Sequence, residues 1–460
     1  MIGTTRARAT SPFGKRATNP FGRMWRPRVG RRLLLATSAL LWLAAISVAI
    51  AVGVWLLWPR PTLASVRSMP PLPAGWPSTL QLGTFNGPDD AAALKATAPF
   101  GFRYQYLAGG VNTGNGWATW KPDGAFVTNY IHDSVSRQIT PVFTYYMLTQ
   151  SAPGLGNGPS EPQAVQANVS NPETMRAYYQ DLRLFFQRAG SFKDSPVVLH
   201  VEPDLWGFLH QRGKTDDATK ISVMVGSTGL PELADLPDTV AGFAQAIVRL
   251  RDRGAPNVIL GYHVSSWGTG TDLFVSNATD ATVDDAAIRE AAFYRSLDAR
   301  FDVTFAELSD RDAAFKQFVY KDKGRSWWDG DDFTRHVRFL SRFVDLTGQR
   351  IVLWQIPFGN TRMRAMNNTW NHFQDTRVEW LLDDPSGEHL RQYLQAGAIA
   401  LLFGRGADGA TNAGDSAGDG VTDPAPINGN DRPSLNADDD GGYFKERAAA
   451  YYQGGALTLP

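Results

Sequence analysis

Three carboxylates stand out by type and context. Glu202 and Asp204 close the apolar run of VVLHVEPDLWG, and Glu307 closes a second run in FDVTFAELSD. Two carboxyl groups on one cavity are the equipment of acid–base chemistry, one holding a proton while the other is charged. Glycosidic cleavage needs that pair: a proton donor, and a nucleophile or base. Side chains alternate along a strand. His200, Glu202 and Asp204 therefore share one side, and Val197, Leu199 and Val201 the other. With the apolar side toward covering helices, Glu202 leads as proton donor, with His200 placed to orient it. Glu307 is the expected second carboxyl and Asp204 a further candidate. The same residues have plainer uses. Asp204 after Pro203 suits a turn, capping backbone N–H groups, and Asp310 suits a helix cap. Glu202 with Arg405, or Glu307 with Arg311, would be ion pairs.

Around these acids stand residues suited to hold a polar ring with apolar faces. Asn86, Tyr106, Tyr145, Trp206, His263, Trp267, Gln355 and Arg405 fall at or just after strand-like runs. Trp117 lies in the Gly/Asn-rich stretch YLAGGVNTGNGWATW. That stretch contains neither GxxxxGK[ST] nor GxGxxG, so it reads as a substrate-lining loop rather than a phosphate cradle. Trp327 and Trp328 in RSWWDGDD suit a cleft wall or a packed loop. No cofactor is expected. Asp415, Asp419 and Asp423 are four apart, unlike an EF-hand's alternating ligands, so no metal site is expected. Asp438 to Asp440 suit the start of a final helix. The seven histidines contain no HExxH, and no GxSxG is present. The absence of cysteine excludes disulfides and thiol nucleophiles. Asn168, Asn277 and Asn367 head N-x-[ST] sequons.

Eight short apolar or aromatic runs supply the elements that position these residues. They begin near Thr79, Phe102, Thr140, Pro196, Asn257, Phe301, Arg350 and Ala398, each fitting a buried strand by length and composition. Helical patterns alternate with them over 89–98, 129–138, 171–190, 237–253, 283–300, 334–347, 387–396 and 443–452. Asn171–Pro172–Glu173 starts one of these and Gly190 stops it. Eight strand-then-helix units imply an α/β protein of the (β/α)8 barrel type, with its site where strands end. A doubly wound open sheet is the alternative.

The chain has 460 residues and no net charge, so no global field favours nucleic acid. Charge is uneven: no Asp or Glu precedes Asp89, while nine Lys or Arg crowd residues 1–32. Residues 33–58 carry no charge and suffice to span a bilayer. The expected order is a basic cytoplasmic tail (1–32), a transmembrane helix (33–58), a Pro-rich linker (59–77) and the barrel (78–460), which the positive-inside rule places outside the cytoplasm. Cleavage near TLASVRS would instead release a secreted barrel.

Taken together, the chain resembles the (β/α)8 glycoside hydrolases as a broad class. Many of their families share an acid at the end of strand four. The largest clan adds a glutamate at strand seven, where this chain has Gln355. Families pairing strands four and six are the better analogy, matching Glu202 and Glu307. The segment VEPD is also similar to a short stretch of family six cellulases. The resemblance, which covers residues 78–460, implies a hydrolase of oligo- or polysaccharides, expected to be membrane-anchored through residues 33–58. A non-catalytic glycan-binding or envelope protein on the same scaffold is the alternative, and a hydrolase or lyase using His263 with Asp204 or Glu307 is another.

Overall fold

Eight parallel strands pair in chain order: β1 (Gln81–Phe85), β2 (Phe102–Leu107), β3 (Thr140–Tyr145), β4 (Val197–Val201), β5 (Val258–Val264), β6 (Val303–Glu307), β7 (Ile351–Ile356) and β8 (Ala398–Phe403). β8 returns to β1, with Gly83 opposite Leu402, and the sheet closes. Closure removes every sheet edge. The computed structural model describes residues 68–155, 160–422, 430 and 432–460. The expected tail and membrane span lie outside these residues, as does Asp423. Among the described residues, no helix is long and apolar enough to cross a membrane. Trp76, from the Pro-rich stretch, packs on Phe102 with ring centroids 4.8 Å apart, so the packed unit begins before residue 78.

Long helices cover the barrel with an apolar stripe turned inward. In Pro172–Ala189 the buried face is Met175, Tyr178, Tyr179, Leu182, Phe185 and Phe186, and the Asn171 side chain caps the first turn. Burying each such side chain stabilises by roughly 1.5–3 kcal/mol. Two further helices, Glu161–Val169 and Leu205–Gly213, are present beyond the expected helical patterns. The first has weak apolar periodicity. The second begins directly after Asp204, where Pro203–Asp204 had suggested a turn.

The barrel interior is aromatic and polar together. His200 lies flat on Phe305, with centroids 4.0 Å apart and planes at 6°. Gly261 makes this possible, since a Cβ there would sit 2.3 Å from Phe305 Cε2. β7 is irregular against β8 between Leu353 and Ile356, and Gln355 within that stretch is left-handed at φ 54°.

Candidate active site

The strand ends of β4, β5 and β6 open into a cavity of about 320 Å³. Asp204 and Glu307 both line it, and both are half-buried. The backbone explains how Asp204 arrives there. Glu202 and Asp204 are both left-handed, at φ 45° and 65°, on either side of Pro203. Two such non-glycine residues in three positions turn the chain sharply at the end of β4. Asp204 holds the N-cap position of Leu205–Gly213, yet its side chain caps nothing. Glu307 does not pair with Arg311, which instead bonds Asp310. Lys316 bonds Asp310 as well, at 2.7 Å.

Both acids are pushed up to about 7. Burial is the main cause for each. For Asp204 the Glu161 charge adds to it and Arg311 opposes. For Glu307 the Asp204 charge adds to it, while Lys316, Arg311 and Arg377 oppose. Two like charges in one partly dry site titrate as a pair and hold a proton between them near neutrality.

Glu202, expected to lead, sits elsewhere. The left-handed turn ends the side-chain alternation, and Glu202 is fully buried outside the cavity lining. Its Oε1 accepts the amides of Met147 (3.1 Å) and Leu148 (3.2 Å). Burial pushes its carboxyl up to about 8 against those amides. Glu202 therefore holds the loop that follows β3.

Several expected contacts with a substrate are core contacts instead. Trp117 is buried with its Nε1 donating to Asp181 at 2.6 Å. Tyr145 is buried and donates its hydroxyl to the same carboxylate. Trp206 is buried, with Nε1 on the Val201 carbonyl at 2.9 Å. Packing accounts for all three, because an aromatic ring beside a strand end fills a barrel-to-helix gap as readily as it faces a cleft. Asn86 lines a separate hollow beside Phe444. Arg405 is half-buried, 3.9 Å from exposed Asp408, and does not line the cavity. Gln355 donates to the Tyr106 hydroxyl at 2.7 Å. The charges of Glu307 and Asp204 reach Tyr106, so this pair lies near the acids.

His263 and Trp267 do line the cavity, as does Trp328. The Arg377 guanidinium lies 4.6 Å over the Trp328 ring and pairs with buried Asp375 at 2.6 Å. Lys316, Arg377, Glu161, Asp272 and Ser265 also border the cavity. Sequence reasoning passed over them because each stands in a loop or helix without a local motif. Beyond the cavity, Asp312 gathers the loops after three strands. Its Oδ1 accepts Gly359 N at 3.0 Å and its Oδ2 accepts Thr411 N at 2.8 Å. Among the described residues, no cluster of acids and histidines is arranged to hold a metal.

Fold and site together define a closed (β/α)8 barrel with a carboxylate-lined cleft at its strand ends. No protein-family model and no curated protein matches the chain. Among solved structures it is similar to a modular endo-beta-1,4-mannanase of glycoside hydrolase family 26 from Cellulomonas fimi, with 12% identity, 81% of this chain and 70% of that one covered, and a TM-score of 0.43. It is also similar to a GH26 beta-mannanase from Bacteroides ovatus, at 13% identity, 81% and 90% coverage and a TM-score of 0.39. A GH6 enzyme from Orpinomyces sp. Y102 matches at 12% identity, 75% and 84% coverage and a TM-score of 0.32.

Proposed function

We propose that this chain is a glycoside hydrolase whose proton donor is Asp204 and whose second carboxylate is Glu307. One observation carries the reading. Two half-buried carboxylates from neighbouring parts of the barrel line one cavity and are raised together by burial. The neighbours divide the roles. Three cations, Lys316, Arg311 and Arg377, favour charge on Glu307 against Asp204, whereas on Asp204 only Arg311 favours charge and Glu161 disfavours it. On this reading the proton the pair holds is placed on Asp204, ready for the leaving oxygen, and Glu307 attacks the anomeric carbon or activates water. Trp267 offers a ring face to the sugar. The substrate is an oligo- or polysaccharide. The test is turnover of a glycan panel by the full chain and by Asp204→Asn and Glu307→Gln. Loss of about 10²–10⁴-fold in kcat is expected for each. Wild-type turnover left intact in both variants would remove the pair from catalysis.

The basic tail and the uncharged stretch at 33–58 support a membrane anchor with the barrel outside the cytoplasm. Protease added to intact cells should cut the barrel and spare residues 1–32. A second reading, glycan binding without turnover, draws on Gln355, an amide at strand seven committed to Tyr106. A wild-type chain that binds glycans and hydrolyses none would select it.

A further inference from the structure

We propose that His263 and Ser265 form a polar recess in the cleft floor that receives one uncharged hydroxyl of a neutral sugar ring. The inference deepens the glycosidase reading and rests on it for the identity of the ligand. Both residues line the cavity, yet they are only 0% and 2% exposed. His263 Nε2 and Ser265 Oγ are buried without a hydrogen-bond partner among the described residues. Leaving buried polar atoms unpaired is costly, and native folds rarely do so without a reason. Here both residues line a cavity, and a ligand group that reached these two atoms would pair them.

The hydrogen bonds behind His263 narrow the ligand. His263 Nδ1 lies 3.0 Å from His200 Nε2, and His200 Nδ1 lies 3.4 Å from Thr144 Oγ1. In a row of two neutral imidazoles, one N–H choice fixes the next. If Thr144 donates, His263 Nε2 ends the row as a donor. If Thr144 accepts, His263 Nε2 ends it as an acceptor. A hydroxyl serves either case, because it both donates and accepts. A carboxylate fits the first case only, and an ammonium the second only. Ser265, two residues further along and lining the same cavity, supplies a second partner for that hydroxyl in this proposal. The imidazoles stay neutral because they are buried: burial pushes His263 down to about 3, and burial with the nearby His263 pushes His200 well down. The two imidazoles therefore offer no positive charge to a uronate, and the cations of the cavity are Lys316 and Arg377. His200 and Thr144 act as positioning residues, setting which way His263 faces.

The experiment labels the full chain with 15N-histidine and titrates it with methyl β-D-glucopyranoside, methyl β-D-mannopyranoside and methyl β-D-galactopyranoside. With seven histidines in the chain, the ring nitrogens are countable. At least one glycoside should move the His263 and His200 signals and leave exposed His132 unmoved. Ser265→Ala should weaken that glycoside about fivefold, the scale of one neutral hydrogen bond. Its other histidine signals, unmoved before titration, report an intact fold. Thr144→Val should change the nitrogen pattern of His200 and His263 with no sugar present, which loss of packing alone would not do. No movement of His263 with any of the three glycosides would overturn the recess, as would equal affinity in Ser265→Ala. Turnover is not needed for this readout. A chain that hydrolyses nothing yet shows the His263 response keeps the recess and refutes the glycosidase. A chain that hydrolyses glycan while His263 stays still does the reverse.

Discussion

Replacing Asp204 with Asn should make the protein inactive and, above neutral pH, more stable. The folded chain raises Asp204 from 3.8 to about 7. A carboxyl raised on folding favours the native state only while protonated. Its contribution is present below about pH 4 and is lost as pH rises toward 7, because over that window the native state binds the extra proton. At about 1.4 kcal/mol per pKa unit, the full loss is bounded near 4 kcal/mol. Asp204 is half-buried, and solvent screening reduces this to about 1–2 kcal/mol. Asn is uncharged at every pH and tolerates the left-handed backbone found there. The variant should therefore match wild type at about pH 4 and melt about 1–2 °C higher at pH 8. Calorimetry at both pH values, with turnover measured on the same samples, tests the idea. A variant that melts lower by the same margin at both pH values would show Asp204 to be a structural cap. The account of the pair would then fail.

Three further outcomes follow from the same geometry. Glu202→Ala strands two buried amides and opens a cavity, and urea titration should show a loss of about 2–5 kcal/mol, whereas Glu202→Gln should keep most turnover because an amide oxygen can still accept. Arg377→Met leaves Asp375 as an unpaired buried charge and should cost about 3–5 kcal/mol by the same titration. Gly207→Ala would place a Cβ 2.6 Å from Trp267 Cη2 and 2.7 Å from Ser265 Cβ. It should raise KM several-fold with a smaller effect on the melting temperature.

The barrel was legible because its signals are local. Each strand is a short apolar run, and each long helix carries its own stripe, as in Pro172–Ala189. The cleft was half legible. Strand-end reasoning reached Asp204, Glu307, His263 and Trp267, which do line one cavity. It misplaced Glu202 because alternation assumes extended backbone, and a glutamate at φ 45° gives no hint in its residue type. It misplaced Trp117, Tyr145 and Trp206 because core and cleft ask for the same rings. Arg377 and Lys316 join the site through long-range packing, which no window of sequence contains.

The carboxyl of Asp312 has a kinetic consequence. It ties a loop after β7 to one after β8 from its own place after β6. Glu202 likewise ties the loop after β3 to the end of β4. Loops stitched in this way lose the freedom to swing, so the mouth needs no closing step before a sugar is held. Encounter and departure should then follow diffusion and cleft chemistry, with single-exponential binding transients whose rate rises linearly with ligand concentration.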